Sequence, residues 1–449
     1  MSIKKIEPVT RIESHGQLTL EFDDNGTPLK AFFSTPALRG FEAFLRGAPI
    51  ERVSWFASRI CGVCPIPHAV NATQTLEKAL GVTIPKTAGI LREMLVLAQI
   101  IDSHALSFAF LSMPDLVPKE NMHSIRDVQQ HFPELVEKGI RLRAIGRMMS
   151  NALGGRNVHP VNVRIGGMNV NPLLDSDINF PALIKEALGI AQAFLEHCKE
   201  WFSLKSDLIT SLGTVKTNYM SLSNEGAVSF LEGQIKIISP DGDDLAVFDP
   251  DDYLAYLSET TKSHSYMKLP YLKAQGIDNG IFRVNCLARA NVNEKYTTPI
   301  ANRELQHLRS TWGQPLESSL LSHWARLIEV IYACERFEEL LSNPSSKGQE
   351  LAVSAEITDG EAVGCLEAPR GTLFHHYTIK DGHISKANFI VATQNNGLAV
   401  NKALSETVKL DTTNNVNEKE IVHHCEMLIR AYDPCISCST HVLRVKNKR

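Results

Sequence analysis

Two short segments near opposite ends of the chain each carry a pair of cysteines. The first, RICGVCPIPH, contains Cys61 and Cys64, and the second, DPCISCSTH, contains Cys435 and Cys438. In each segment a histidine follows the second cysteine by three or four residues. Because thiolates select soft and borderline metal ions, the two pairs predict one buried metal site to which both ends of the chain contribute.

Simpler interpretations of paired cysteines fit this sequence less well. A zinc ribbon usually places its two pairs about 15–20 residues apart, whereas 371 positions separate Cys64 from Cys435. A redox dithiol would stand at the start of a helix in a thioredoxin-like βαβ unit, and neither pair does. A zinc-stabilised helical scaffold remains an alternative, and elemental analysis would identify it.

The composition is that of an ordinary globular protein. Of 449 residues, 43% are hydrophobic and 21% charged, and the net charge of −4 gives no electrostatic reason to expect nucleic-acid binding. The apolar stretches are shorter than the roughly 20 residues of a membrane-spanning helix, and the N-terminus does not resemble a secretory signal. Isolated free thiols suit a reducing compartment, so we expect a cytoplasmic protein. The isolated cysteines are Cys198, Cys286, Cys334, Cys365 and Cys425.

Hydrophobic periodicity predicts a mainly α-helical fold with small β-sheets (α+β). Residues 17–35 read as a β-hairpin around the DDNG turn. Apolar residues spaced by three and four predict a helical bundle over 36–212 and 318–342. The stretch at 87–111 is apolar on more than one face and should lie inside this bundle.

The remaining segments are less regular in sequence. Residues 216–300 read as irregular structure with turns, and 350–441 as C-terminal strands, loops and the second cysteine segment, with TQNNG as loop punctuation. A last helix at 417–430 leads to this segment. We expect a single domain over 1–441, followed by a short tail at 442–449.

Four further motifs accompany the cysteine segments: PVTRIESHG, RGFE, EAPRG and VATQNNGLAVN. Together, and in this order, they resemble [NiFe]-hydrogenase large subunits, from about residue 6 to residue 441. The details resemble the soluble, multimeric branch, which couples hydrogen to F420, NAD(P) or heterodisulfide reductase. The resemblance implies the long-helix bundle of that family and the reversible cleavage of H2 to protons and electrons.

The resemblance also implies a NiFe(CO)(CN)2 centre held by the four paired cysteines. Cys61 and Cys435 would be terminal nickel ligands, while Cys64 and Cys438 would bridge to an iron that carries one carbonyl and two cyanides. Thiolates are electron-rich and let nickel change its oxidation state, which suits the heterolytic splitting of hydrogen.

Catalytic roles follow from the same motifs. Glu13 would relay the proton away from the metal site, since a buried carboxyl group tends to have a raised pKa. Arg370, with Pro369 packed beside it, would cover the vacant position between the metals and donate to a cyanide. Asp102 and Asp433 match the acidic residues that hold this arginine in place.

Two more residues would tune the centre. Thr393 would donate to the second cyanide, and His68 would hydrogen-bond a bridging sulfur atom. The other histidines, including His104, His159 and His375, match no motif and are predicted to be core or surface residues.

A second ion, usually magnesium, is implied by Glu42 and His441. Since imidazole is a poor magnesium ligand, another divalent ion is an alternative. The family is usually cut after this last histidine, so a maturation endopeptidase would remove 442–449, or the tail stays attached in a branch without cleavage.

The isolated cysteines lack the spacing that an iron–sulfur cluster requires, so we expect no such cluster in this chain. Electrons would leave through an iron–sulfur small subunit and further electron-transfer subunits. Two relatives with other functions are alternatives: a hydrogen sensor and a non-catalytic coupling subunit. The four paired cysteines argue against the coupling subunit, and the tail argues against the sensor.

Overall fold

A computed structural model describes residues 2–38, 40–119, 122–175 and 177–439. The chain begins with a three-stranded antiparallel sheet in the order β1–β2–β3. Alternating residues in LTLEF form the central strand, and the DDNG turn returns the chain to the third strand. The first strand adds to this hairpin along its other edge. The strands are β1 (Ser2–Ile6), β2 (Gln17–Phe22) and β3 (Pro28–Ser34).

Helices dominate the next part of the chain. Pro65 and Pro67 occupy the first turn of α3, where a missing N–H costs no hydrogen bond. Gly155, in the left-handed conformation with φ 72°, ends α6. The elements are α1 (Phe41–Leu45), α2 (Val53–Ala57), α3 (Pro65–Ala79), α4 (Lys86–Leu106), α5 (Ile125–His131), α6 (Pro133–Gly154), β4 (Val163–Arg164), β5 (Gly167–Met168), α7 (Pro172–Asp175), α8 (Phe180–Leu204) and α9 (Ser206–Ser211).

Helix α4 lies at the centre of the bundle and packs against α6. It continues through a π-helical turn at Ser107–Ser112. Within the described part of the chain, the segment Lys86–Asp115 alone is long and apolar enough to cross a membrane, but 78% of that window is buried inside the protein. Burial on all sides is what an apolar core helix requires.

Residues 216–300 contain ordered sheet structure, so the prediction of irregular structure there is wrong. One sheet has the order β12–β6–β8–β9, with β7 paired to β6, and β10 pairs with β11. Strand β6 is buried on both faces over its first five residues, which hides the alternation that reveals a strand. The elements are β6 (Asn218–Asn224), β7 (Ala227–Val228), β8 (Gln234–Ile238), β9 (Asp244–Phe248), α10 (Tyr253–Tyr256), β10 (Leu257–Thr261), β11 (Lys268–Leu272), α11 (Gly276–Asn279), β12 (Phe282–Arg283) and α12 (Cys286–Val292).

The C-terminal part adds two bundle helices, an antiparallel β-sheet and three last helices. The TQNNG sequence, predicted as a loop, lies in α15. Its buried side-chain amides form hydrogen bonds with the backbone of neighbouring elements. Asn395 donates to the Thr372 carbonyl at 2.9 Å, and Asn396 accepts a hydrogen bond from the Val284 N–H at 2.9 Å. The elements are α13 (Pro299–Trp312), α14 (Ser322–Ser342), β13 (Gly360–Ala368), β14 (Gly371–Lys380), β15 (His383–Ile390), α15 (Ala392–Thr413), α16 (Glu418–Tyr432) and α17 (Ile436–Ser439).

Candidate metal centre

The two cysteine pairs meet inside the protein although they come from opposite ends of the chain. The Sγ atom of Cys61 lies 2.9 Å from that of Cys64 and 3.2 Å from that of Cys435. Cys438 Sγ lies 3.3 Å from Cys64 Sγ and 3.2 Å from Cys435 Sγ. All four sulfur atoms lie within 4.8 Å of one another and belong to buried residues, and no other such group was found among the described residues.

The local backbone explains how each pair is presented. Cys64 directly precedes α3, and the backbone N–H groups of Val63 and Cys64 donate to Cys61 Sγ at 3.3 and 3.0 Å. At the other end, Asp433 adopts a left-handed conformation with φ 52° and ends α16, which turns the chain toward Cys435. Hydrogen bonds to a sulfur atom favour its ionised form, so the backbone of the first segment favours ionisation of Cys61.

The four thiols do not ionise alike. Burial opposes ionisation of Cys61, but hydrogen bonds from the other thiols outweigh it and lower its pKa. Hydrogen bonding from Cys438 lowers the pKa of Cys435. Hydrogen bonding to Cys435 raises the pKa of Cys64, and burial raises that of Cys438. Each segment therefore supplies one sulfur atom that ionises early and one that keeps its proton longer.

Glu13 adjoins the second cysteine segment. Its backbone pairs with that of Cys435 in an isolated parallel bridge. Its carboxylate accepts hydrogen bonds from the Ser437 backbone N–H at 2.9 Å and from the Ser437 hydroxyl. Burial, and then the charge of Cys435, raises the pKa of Glu13 to about 7. A carboxyl group that exchanges protons near neutral pH thus lies beside the sulfur atoms.

Arg370 lines the same cavity as three of the cysteines. It stands in the two-residue turn between β13 and β14. Its Nε donates to the Asp433 carbonyl at 2.8 Å, its Nη2 lies 3.1 Å from the Asp433 carboxylate, and its Nη1 donates to Ser103 Oγ at 3.1 Å. Burial opposes its charge, yet Asp433 and the thiols raise the pKa of Arg370 well above its ordinary value. The guanidinium is therefore a fixed positive charge.

Asp102 is placed differently from Asp433. Its carboxylate accepts a hydrogen bond from Arg143 Nε at 3.3 Å, and burial raises its pKa. Among the described residues, Ser103, the next residue of α4, makes the contact with Arg370 for which Asp102 was predicted. The charge of Arg370 also acts on Asp102, so Asp102 faces the arginine through its charge while Ser103 makes the hydrogen bond.

The other predicted residues also surround the cysteines. His68 and Thr393 line the cavity, and the Thr393 hydroxyl accepts the Cys435 backbone N–H at 2.9 Å, which leaves its own hydrogen free to be donated. Pro369 directly precedes Arg370 in the turn.

His159, predicted to be a core or surface residue, is half-buried and its Nδ1 bonds to the Ser58 carbonyl at 2.9 Å.

Glu42 lies in a separate polar cluster. It is buried and accepts hydrogen bonds at 2.9 Å from the Phe389 backbone N–H and from Lys268 Nζ. The same ammonium group donates to Asn388 at 2.9 Å and to Glu259 at 3.1 Å. Carboxylate and amide oxygens are the donors that hard divalent ions take. His441 and the tail at 442–449 lie outside the described residues.

Known proteins are similar to this chain in sequence over nearly its whole length. A family model described as nickel-dependent hydrogenase matches residues 39–132 and 240–441, and a HoxL-like model matches residues 5–38. One subunit of the F420-non-reducing hydrogenase vhc of Methanococcus voltae is 36% identical over 461 aligned residues, which cover 99% of this chain and 96% of that protein. The chain belongs to the nickel-dependent hydrogenase family.

Other members of this family give the same result. The NAD-reducing hydrogenase HoxS subunit beta of Cupriavidus necator is 32% identical, over 98% of this chain and 94% of that protein. The solved structure of an NAD+-reducing [NiFe]-hydrogenase in the H2-reduced state superposes with a TM-score of 0.93 at 32% identity, over 98% of this chain and 100% of that one. The predicted fold class is confirmed, and so is the assignment as a [NiFe]-hydrogenase large subunit, an oxidoreductase.

The sulfur group suits the nickel of this hydrogenase family. Four buried thiols form a soft donor set, and metal–sulfur bonds of about 2.3 Å are typical of such sites. Neighbouring sulfur atoms lie 2.9 to 3.3 Å apart, less than twice such a bond length, so one ion can contact them together.

Sequence reasoning missed a buried ionic network that supports the Arg370 turn of the hydrogenase. Arg289 binds the Glu329 carboxylate at 2.6 and 2.7 Å and Glu367 at 2.6 Å. It also donates at 3.2 Å to the carbonyls of Ala368 and Pro369, the residues directly before Arg370. Glu367 begins the EAPRG motif, but no sequence signal connects it to Arg289 and Glu329, which come from other elements.

Proposed function

We propose that this chain cleaves H2 reversibly into protons and electrons at a nickel–iron centre. The convergence of four buried sulfur atoms beneath the buried Arg370 guanidinium carries this proposal. When bound, a nickel–iron centre with one carbonyl and two cyanide ligands supplies the redox chemistry that splits H2. Cys61 and Cys435 would be terminal ligands of nickel, and Cys64 and Cys438 would hold both metals.

Arg370 would provide the electrostatic part of the chemistry. Its guanidinium stays charged, is held by Asp433 and lines the cavity of the sulfur atoms. Such a preorganised charge stabilises negative charge that develops in a site without water. Pro369 would pack beside it, and Asp102 would help to hold it through its charge while it bonds to Arg143.

Glu13 would move the proton. Its carboxylate is anchored on Ser437, two residues after Cys435, and the two backbones pair directly. This geometry lets Glu13 take a proton from the Cys435 sulfur atom and pass it outward. His68 and Thr393 would donate hydrogen bonds within the cavity and so tune the sulfur and diatomic ligands.

The second ion would be magnesium or another divalent ion. Glu42 and His441 would bind it. Glu259 and Asn388 offer further oxygen atoms nearby, because both accept hydrogen bonds from the same Lys268 ammonium group as Glu42. An endopeptidase would remove the tail at 442–449 once the centre is complete.

Electrons would leave through an iron–sulfur small subunit and further electron-transfer subunits. Burial raises the pKa of all five isolated cysteines, which makes them poor cluster ligands. We propose a cytoplasmic enzyme with a soluble acceptor. Several relatives are named F420-non-reducing and one NAD-reducing, which favours NAD(P) or heterodisulfide reductase over F420 as this acceptor.

An exposed aromatic patch offers a place for the small subunit. Trp55 is 49% exposed and Phe44 60% exposed, and each ring contacts Phe56 with centroids 5.0 Å apart. The Arg59 guanidinium covers the Trp55 ring at 3.5 Å. Aromatic and arginine side chains are enriched where proteins bind each other. The patch lies on the segment that ends at Cys61, so a cluster docked there would be close to the centre.

Replacing Trp55 with aspartate should release the small subunit. A central aromatic contact contributes about 2 kcal/mol or more to binding, which corresponds to a roughly 30-fold weaker Kd. Co-purification of the two subunits and titration by interferometry would measure the change. Leu254→Asp, at a similarly exposed apolar residue outside the patch, is the control. Equal binding by both variants would exclude the patch as the docking surface.

The proposed activity is tested on the purified complex. We expect one nickel and one iron per chain, infrared bands of bound cyanide and carbonyl, and H2 uptake with NAD+ or another acceptor. Zinc alone would identify a scaffold instead. An intact centre with very slow turnover would identify a hydrogen sensor, and the absence of nickel would identify a non-catalytic coupling subunit.

A further inference from the structure

A chain of three buried side chains leads from the protein interior to the sulfur cavity. Tyr377 Oη lies 2.9 Å from His375 Nδ1, and His375 Nε2 lies 3.1 Å from His68 Nδ1. All three side chains are buried, and His68 lines the cavity of Cys64 and Cys438. Phe389 packs edge-on against His375, with ring centroids 4.6 Å apart, and covers one side of this imidazole.

The hydrogen bonds between Tyr377, His375 and His68 permit two arrangements of the hydrogen atoms. Two imidazole nitrogens that share a hydrogen bond need one N–H and one lone pair. If Tyr377 donates to His375 Nδ1, then His375 Nε2–H donates to His68 Nδ1, and His68 keeps its hydrogen on Nε2. If the direction is reversed, His68 carries its hydrogen on Nδ1 and presents only a lone pair at Nε2.

We propose that Tyr377 and His375 are positioning residues that fix His68 with its hydrogen on Nε2, so that it donates to a cysteine sulfur atom. This inference rests on the proposed function. In the reversed arrangement the Tyr377 hydroxyl hydrogen would have no acceptor among the described residues, since its one bonded partner there is His375.

Two conditions, one at Tyr377 and one at His68, favour the same direction of these hydrogen bonds. A buried hydroxyl hydrogen without an acceptor is costly, which favours donation by Tyr377. Burial raises the pKa of Tyr377 well above its ordinary value, so the hydroxyl keeps its hydrogen. At the other end, a cysteine sulfur atom that has given up its proton to bind a metal would accept a hydrogen bond from N–H and repel a lone pair.

The test is the infrared spectrum of the purified complex carrying Tyr377→Phe. We expect the carbonyl band to shift to lower wavenumber, because a sulfur atom that loses its donor gives more electron density to iron. The control Tyr219→Phe removes a buried hydroxyl that donates to the Leu316 carbonyl at 3.0 Å, outside the cavity, and should leave the band in place.

Rescue by His375→Gln separates tautomer control from a packing effect. The glutamine amide N–H can donate to His68 Nδ1 without help from Tyr377, so this variant should keep the wild-type band. Adding Tyr377→Phe to His375→Gln should then cause no further shift.

An unshifted band in Tyr377→Phe, the same shift in Tyr219→Phe, or an undiminished shift in the double variant would each overturn the inference. A wild-type complex without carbonyl and cyanide bands would instead overturn the proposed function.

Discussion

Cys61→Ala should abolish nickel binding. Cys61 Sγ contacts both Cys64 and Cys435, and removing it opens the sulfur group on one side. Loss of a residue that only supports a metal ligand weakens binding about 10–100-fold, so loss of a ligand should exceed about 100-fold. Elemental analysis of the purified complex, after dialysis against a chelator, measures the bound nickel.

The control for this substitution is Cys198→Ala. Cys198 is equally buried but belongs to the apolar core of α8, and burial raises its pKa far above its ordinary value. Because its thiol contributes packing and not charge, nickel content should stay at the wild-type level. A Cys61→Ala protein with full nickel occupancy would contradict the assignment of the four-sulfur group as the metal centre.

Iron content separates terminal ligands from bridging ligands. Cys61→Ala should retain iron, while Cys64→Ala, which removes a sulfur atom from both metals, should lose nickel and iron together. If both variants lose the same metals, the division of the four cysteines into two kinds of ligand is wrong.

The metal group was predictable from sequence because each half is a local pattern. In CxxC the spacing itself places both sulfur atoms on one side of a turn, so only the meeting of the two segments had to be inferred. The same holds for Arg370 and Asp433, which stand within motifs. Asp102 and Ser103 show the limit of this reasoning: neither lies in a quoted motif, and the hydrogen bond from Arg370 to Ser103 could not be read from the sequence.

The Arg289 network shows what a single sequence does not reveal. Arg289, Glu329 and Glu367 come from a short helix, a long helix and a strand, and outside the EAPRG motif of Glu367 nothing in the sequence distinguishes them from surface charges. The folded structure alone shows that they are buried together, with Arg289 paired to both carboxylates. Strand β6 was missed for a related reason, since a strand buried on both faces loses the alternation on which sequence reasoning relies.

Arg370→Lys should lower kcat about 10²–10³-fold, the usual effect of removing one preorganised donor from an active site. Lysine keeps the positive charge but cannot make the three contacts of the guanidinium with Asp433 and Ser103. Nickel and iron contents should be unchanged, because no cysteine is altered. Hydrogen uptake assays together with elemental analysis of the same preparation measure both quantities.

Asp433→Asn and Asp102→Asn then show which carboxylate holds the arginine. Asparagine tolerates the left-handed backbone of residue 433, so the first change removes the charge beside Arg370 while it preserves the end of α16. Because Asp433 lies 3.1 Å from the guanidinium and Asp102 is bonded to Arg143, Asp433→Asn should approach the loss seen in Arg370→Lys, and Asp102→Asn should lose much less. An equal loss in both asparagine variants would mean that the two carboxylates act on the arginine as one unit, contrary to their separate contacts.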